Sequence, residues 1–243
     1  ARDAGIGLIV IPAVTPQTFA PARDAAHRFD AAYALGIHPL YVRQVPDKAV
    51  TLLDEALHRW RDDPRLVAVG EIGLDHFVPG LDRERQERFY VEQLKIARRH
   101  GLPVILHVRR SADALLKHLR RIEVGGGIAH AFNGSAQQAA EFIKLGFCLG
   151  FGGTATFPQA QRIRALLREV PIANVVVETD APDIPPSFLG TMSSRARNSP
   201  VYLPQIGQML AEVRGISPTA FAAATTANVR RIVAARLVSQ EGD

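Results

Sequence analysis

Short runs of apolar, often β-branched residues alternate along the chain with longer stretches whose apolar positions recur at the helical period. Seven short runs stand out: GLIVIPAV from Gly7, DAAYALGIH from Asp30, LVAVGEIG from Leu66, PVILHV from Pro103, GIAHAF from Gly127, FCLGFG from Phe147 and NVVVETD from Asn174. Most are nearly continuous in hydrophobicity, the pattern of a strand covered on both faces, and parallel strands with crossover helices produce that cover. Between them, DRERQERFYVEQLKIARRHG from Asp82 predicts the clearest helix. Phe89, Leu94, Ile96 and Ala97 supply its apolar positions, charges cover the rest, and Gly101 suits the residue just past its end. Ser111 and Ser135 stand where they can cap the helices SADALLKHLRRI and SAQQAAEFIKLG. DAPDIPPSFLGTMSSRARNSP from Asp180 reads as a long loop, which in a compact domain usually serves function. Two helical stretches follow, the second opened by Ser217 and Pro218.

The pattern describes one α/β domain over residues 1–243, close to the roughly 250 residues of a TIM-type (β/α)₈ barrel. No repeat or low-complexity segment interrupts it. Four residues able to bind metal fall at or just beyond the carboxyl ends of four of these runs: Glu71, His107, His130 and Asp180. In a parallel barrel the active site lies at that face and draws its residues from the ends of several strands. Taken singly, each has an ordinary explanation: an ion pair for Glu71, a structural hydrogen bond for either histidine, a turn cap for Asp180. Their placement at one end of the barrel favours a shared site, and two imidazoles with two carboxylates suit Zn²⁺, Mn²⁺ or a similar divalent ion, or a bridged pair.

Three weaker candidates surround these four. His38, held in extended geometry by the Pro that follows, suits a phosphate contact, an orienting role for water, or a plain hydrogen-bonded loop position. Arg109 lies two residues beyond His107, on the same side of an extended backbone, where it can grip a phosphate or pair with a helix acid. Gly152 and Gly153 suit a phosphate cradle or a strand-end turn, without the lysine and spacing of a P-loop.

Composition narrows the class. Hydrophobic residues make up 47% and charged residues 22%, which excludes a disordered chain. The net charge of +5 mildly favours a polyanionic partner. A lone cysteine, Cys148, excludes an internal disulfide framework and makes the cytoplasm the expected location, while no apolar run approaches the length of about 20 residues that spans a bilayer.

The blocks GIHP, VGEIGLD, PVILHVRRS, HAFNGS, ETDAP, RNSP and TTANVRRI, in this order, resemble the signature blocks of the TatD-family hydrolases over essentially the whole chain. The resemblance implies a metal-dependent hydrolase, with deoxyribonuclease activity and a DNA or other phosphodiester substrate as the leading expectation. It further implies that Glu71 bridges two divalent ions (Zn, Mg or Mn), that His107, His130 and Asp180 complete the metal ligands, and that Asp180 accepts the proton of the attacking water. His38, Arg109 and Asn198 match positions near the substrate. Ala131, where many members have Cys, and Asn133, where Ser is commoner, are similar to the YjjV-like branch; Asp183 replaces the Tyr of ETDxPY. The family opens with a strand carrying His-x-His, and no His-x-His occurs in this chain. The count of seven strands, one short of eight, agrees, so the first strand is expected to be missing from this sequence. Hydrolysis of a small amide, ester or lactone, or a degenerate non-catalytic protein, are the rival expectations. Oligomeric state is left open.

Overall fold

The structure is a computed structural model that describes residues 1–191 and 196–237. All seven expected strands form: β1 (Val10–Pro12), β2 (Ala32–Leu35), β3 (Leu66–Asp75), β4 (Val104–Arg109), β5 (Gly127–His130), β6 (Phe147–Phe151) and β7 (Val175–Val177). They make one sheet in chain order, and each pairs in parallel with the next. Among the described residues β1 pairs only with β2 and β7 only with β6, so the curled sheet is a TIM-type barrel open between its first and last strands. These two strands have three residues each, fewer than the apolar runs GLIVIPAV and NVVVETD suggest. A strand with one neighbour loses its ladder where that neighbour ends, whatever its composition.

The helices are α1 (Phe19–Arg28), α2 (Ala49–Arg59), α3 (Arg83–His100), α4 (Ala112–Leu119), α5 (Ala136–Lys144), α6 (Gln161–Glu169), α7 (Leu203–Arg214) and α8 (Pro218–Leu237). Asp82 caps α3 through its side chain, and Gly101 ends it in the left-handed conformation at φ 61°. At α5, Ser135 and Gln138 form a reciprocal capping box. Ser111 corrects its expected role: it precedes α4, but its hydroxyl donates to Leu74 O at 2.6 Å and so ties the end of β3 to the start of α4.

Alternation along the strands separates two apolar layers. Tyr33, Leu35, Val104, Leu106, Phe147 and Leu149 point outward into the main core beneath the helices. On the inner face Ala32, Val67, Ile105, Ile128, Cys148 and Val176, all near the amino-terminal ends of their strands, pack with Val229 and Ile232 of α8. The last helix thus fills the barrel floor. Asn228 fixes it by donating from Nδ2 to Ile172 O at 2.6 Å and Val175 O at 2.8 Å. With the floor apolar and filled, the polar residues of the inner face collect at the carboxyl-terminal mouth.

Candidate metal centre

Register brings the histidines together. His107 of β4 is the direct partner of His130 on β5. On β3 the pairing with β4 slips between Val69 and Ile72, and the extra residue there bulges the strand where Glu71 lies. Glu71 is 8% exposed, and its Oε1 lies 2.9 Å from His107 Nδ1, 3.4 Å from His38 Nε2 and 3.9 Å from His130 Nε2. Asp180, just past β7, places Oδ1 3.3 Å from His130 Nε2. The donors fall into two groups, His38–Glu71–His107 and Glu71–His130–Asp180, each with its ligand atoms within 4.8 Å of one another. Glu71 belongs to both. His38 lies beside these donors: its Nδ1 accepts from Leu40 N at 3.2 Å, so the neutral ring carries its proton on Nε2, which faces His107 Nδ1 at 3.1 Å, and the two rings are 4.5 Å apart.

Two carboxylates that the motif reading passed over complete the cluster. Asp75, fully buried at the end of β3, accepts from His107 Nε2 at 3.0 Å through Oδ2. Its Oδ1 accepts from Phe77 N at 2.8 Å and Val78 N at 2.9 Å. Glu178, directly after β7, meets His130 Nδ1 at 3.0 Å with Oε1, which also accepts from Ala131 N at 2.7 Å. Both were present in the blocks VGEIGLD and ETDAP. The signal for Asp75 was its place two residues beyond an apolar strand run, and for Glu178 its even spacing from inward-facing Val176 and from Asp180.

The electrostatics follow from this crowding. Burial pushes the Asp75 carboxyl up, but His107 and the two backbone N–H groups outweigh it and hold the pKa at about 2. Glu71 is held well below the usual range: burial opposes ionisation, and His130, His107 and His38 overcome it. Asp180 goes the other way, to about 6, because burial is joined by repulsion from Glu178, Glu71 and Asp183 and outweighs the attraction of His130. Both His107 and His130 are raised by their carboxylates against the pull of burial.

The donor set fits a divalent cation. Asp75 is ionised and can only accept, so His107 Nε2 carries a proton. In the neutral ring Nδ1 then presents a lone pair toward Glu71 Oε1 at 2.9 Å and His38 Nε2 at 3.1 Å, a position suited to a cation. At His130, Nδ1 faces Glu178 Oε1, which also accepts from Ala131 N, and Nε2 faces Asp180. Imidazole and carboxylate together suit zinc or manganese better than magnesium.

The remaining sequence candidates take different places. Arg109 lines the mouth, with its guanidinium 4.0 Å from the centre of the Phe77 ring and 3.9 Å from Asp75 Oδ2, so its acid partner is on a strand and not on a helix. Asn198 is 2% exposed and donates from Nδ2 to Thr179 O at 2.7 Å and to Asp183 O and Ile184 O at 3.0 Å each. It clamps the loop that carries Asp180. Gly152 and Gly153 form a strand-end turn: a Cβ on either would lie 2.7 Å from Glu178 O or 2.3 Å from Ile184 O, respectively. The cluster lies in a cavity of about 1310 Å³ whose lining includes Arg109, Arg110 and Arg162.

A parallel α/β barrel that gathers histidines and carboxylates at its carboxyl-terminal mouth defines the metal-dependent hydrolase class. The chain belongs to the TatD-related DNase family, whose description matches residues 1–234. It is 43% identical over 187 residues to the uncharacterized metal-dependent hydrolase YjjV of Escherichia coli K12, an alignment covering 76% of this chain and 71% of that protein. It is 30% identical over 236 residues to the 3'-5' ssDNA/RNA exonuclease TatD of Shigella flexneri serotype 5b, covering 96% of this chain and 89% of that one. The crystal structure of YjjV, a TatD homolog from Escherichia coli K12, superposes with a TM-score of 0.89 at 37% identity, over 96% of this chain and 89% of that chain. No helix among the described residues is long and apolar enough to cross a membrane.

Proposed function

We propose that this chain hydrolyses phosphodiester bonds of nucleic acid, with DNA the first substrate to test, using divalent ions held by Glu71, His107, His130 and Asp180. The observation that carries the reading is the Glu71 carboxylate, common to both donor groups, in a cavity whose lining includes three arginines. A shared carboxylate is what a pair of ions needs to sit close together. The exonuclease TatD supports the choice of substrate, at 30% identity.

When bound, such ions lower the pKa of water toward neutrality and offset the negative charge that builds on the phosphoryl oxygens. The chain's own groups do the rest. Asp180, beside His130 on the loop after β7, is placed to take up the proton of the attacking water at Oδ1 or Oδ2. Asn198 holds the loop on which it sits. Arg109, Arg110 and Arg162 meet the phosphate backbone, and binding carried by such contacts weakens as salt rises.

The test is turnover of single-stranded DNA with Mn²⁺ or Zn²⁺, beside a panel of small amides, esters and lactones. DNA cleavage that a chelator abolishes and added metal restores supports the proposal. Turnover confined to the small carbonyl substrates would replace it with an amidohydrolase-like activity.

A further inference from the structure

Each metal-binding histidine on the strands has one ring nitrogen turned into the donor cluster and the other held by a carboxylate. In His107 it is Nδ1 that faces Glu71 and His38 Nε2, while Nε2 meets Asp75; in His130 it is Nε2 that faces Asp180, while Nδ1 meets Glu178. Hydrogen bonding at one nitrogen decides whether the other has a free lone pair for a metal.

We propose that Asp75 and Glu178 are positioning residues that set opposite tautomers in the two histidines, leaving Nδ1 of His107 and Nε2 of His130 as the metal-binding atoms. The inference rests on the reading that His107 and His130 hold metal. The two carboxylates do their work differently, and the difference makes the idea testable. Asp75 gives one oxygen to the backbone and the other to the histidine: Oδ1 accepts from Phe77 N and Val78 N, and Oδ2 serves His107. Glu178 gives the same oxygen to both, since Oε1 accepts from Ala131 N and from His130 Nδ1.

An isosteric amide therefore has unequal consequences. In Asp75→Asn the carbonyl oxygen must stay at the Oδ1 position, because an amide NH₂ there would face two backbone donors. The NH₂ is then forced toward His107 Nε2. That nitrogen must accept, the proton moves to Nδ1, and the metal-facing lone pair is lost. In Glu178→Gln the carbonyl oxygen stays at Oε1, still accepts from Ala131 N and His130 Nδ1, and the tautomer of His130 is kept.

The test measures zinc affinity by competition with a chromophoric chelator in the parent, Asp75→Asn and Glu178→Gln, alongside melting temperature in excess chelator. Asp75→Asn is expected to lose roughly 10–100-fold in affinity while its melting temperature in chelator stays near that of the parent, and Glu178→Gln is expected to lose less. Nitrogen NMR of the zinc-loaded parent gives a readout that needs no variant: His107 should carry its proton on Nε2 and His130 on Nδ1. The reverse assignment, or equal losses in the two variants, overturns the positioning role. A parent that takes up no zinc overturns the metal reading itself, and the proposal with it. Should Asp75→Asn fail to fold, the nitrogen assignment in the parent decides.

Discussion

The carboxylate of Glu178 occupies the space beside Gly150 that any other residue would fill. A Cβ built on Gly150 lies 2.1 Å from Glu178 Oε2 and 2.7 Å from its carboxyl carbon. Strand β6 thus contributes a gap to the site and no ligand, and through that gap Glu178 reaches His130.

Gly150→Ala should push Glu178 away from His130 Nδ1 and Ala131 N. The added methyl also overpacks a buried strand, at a cost of about 1–3 kcal/mol. We expect a lower melting temperature and at least about tenfold weaker metal binding. Calorimetric metal titration and a thermal melt check this together, and unchanged affinity would show that Glu178 does not need its present position.

Asp180→Asn keeps size and hydrogen-bonding capacity but removes the base. Turnover should fall by a factor of order 10²–10⁴ with the melting temperature preserved. Steady-state rates on the DNA substrate measure it; activity within about threefold of the parent would remove Asp180 from the mechanism.

Asn198→Ala separates two roles for a residue whose motif position suggested substrate contact. Its Nδ2 is taken up by Thr179 O, Asp183 O and Ile184 O. Leaving these carbonyls without a donor should cost about 1–3 kcal/mol in the absence of any substrate. A melt without substrate that matches the parent, combined with a raised KM, would favour direct contact instead.

Metal should stabilise the fold. An ion that binds only the folded chain, at 100 times its Kd, adds about 2.7 kcal/mol. For a chain of this size that corresponds to a rise in melting temperature of roughly 5–10 °C. Scanning calorimetry with zinc and with chelator measures the difference, which should vanish in Glu71→Gln with His107→Ala.

A pH effect is expected far from the metal centre, at Asp63. Burial pushes its carboxyl up, but hydrogen bonds from His27, the Arg65 backbone and Tyr33 outweigh that and leave the pKa below its ordinary value. A depressed folded-state pKa contributes stability that is present above the unfolded value, near 3.9, and is lost as pH falls through the folded one. Denaturant unfolding at pH 5 and at about pH 2.5 should show a smaller drop in Asp63→Asn than in the parent. Equal drops would mean that Asp63 is not ionised differently on folding.

The strands, the barrel and the four principal donors were legible in the sequence because they depend on local pattern. A buried parallel strand is apolar throughout and its carboxyl end is where polarity returns; His107, His130 and Asp180 stand near or just past three such ends, while Glu71 lies at the bulge within β3. Pairing decided the rest. That His107 lies beside His130, that the Glu71 carboxylate serves both donor groups, and that His38 joins one of them follow from register and a bulge between segments dozens of residues apart. Asp75 and Glu178 looked like ordinary acids in their motifs, since their meaning is a hydrogen bond to the far side of a ring on another strand. Ser111 and Asn198 likewise turn to backbone carbonyls that only the folded chain brings within reach. Periodicity reports which face a residue occupies, whereas the direction of a lone pair depends on every strand around it, and so only the tertiary structure assigned the two nitrogens.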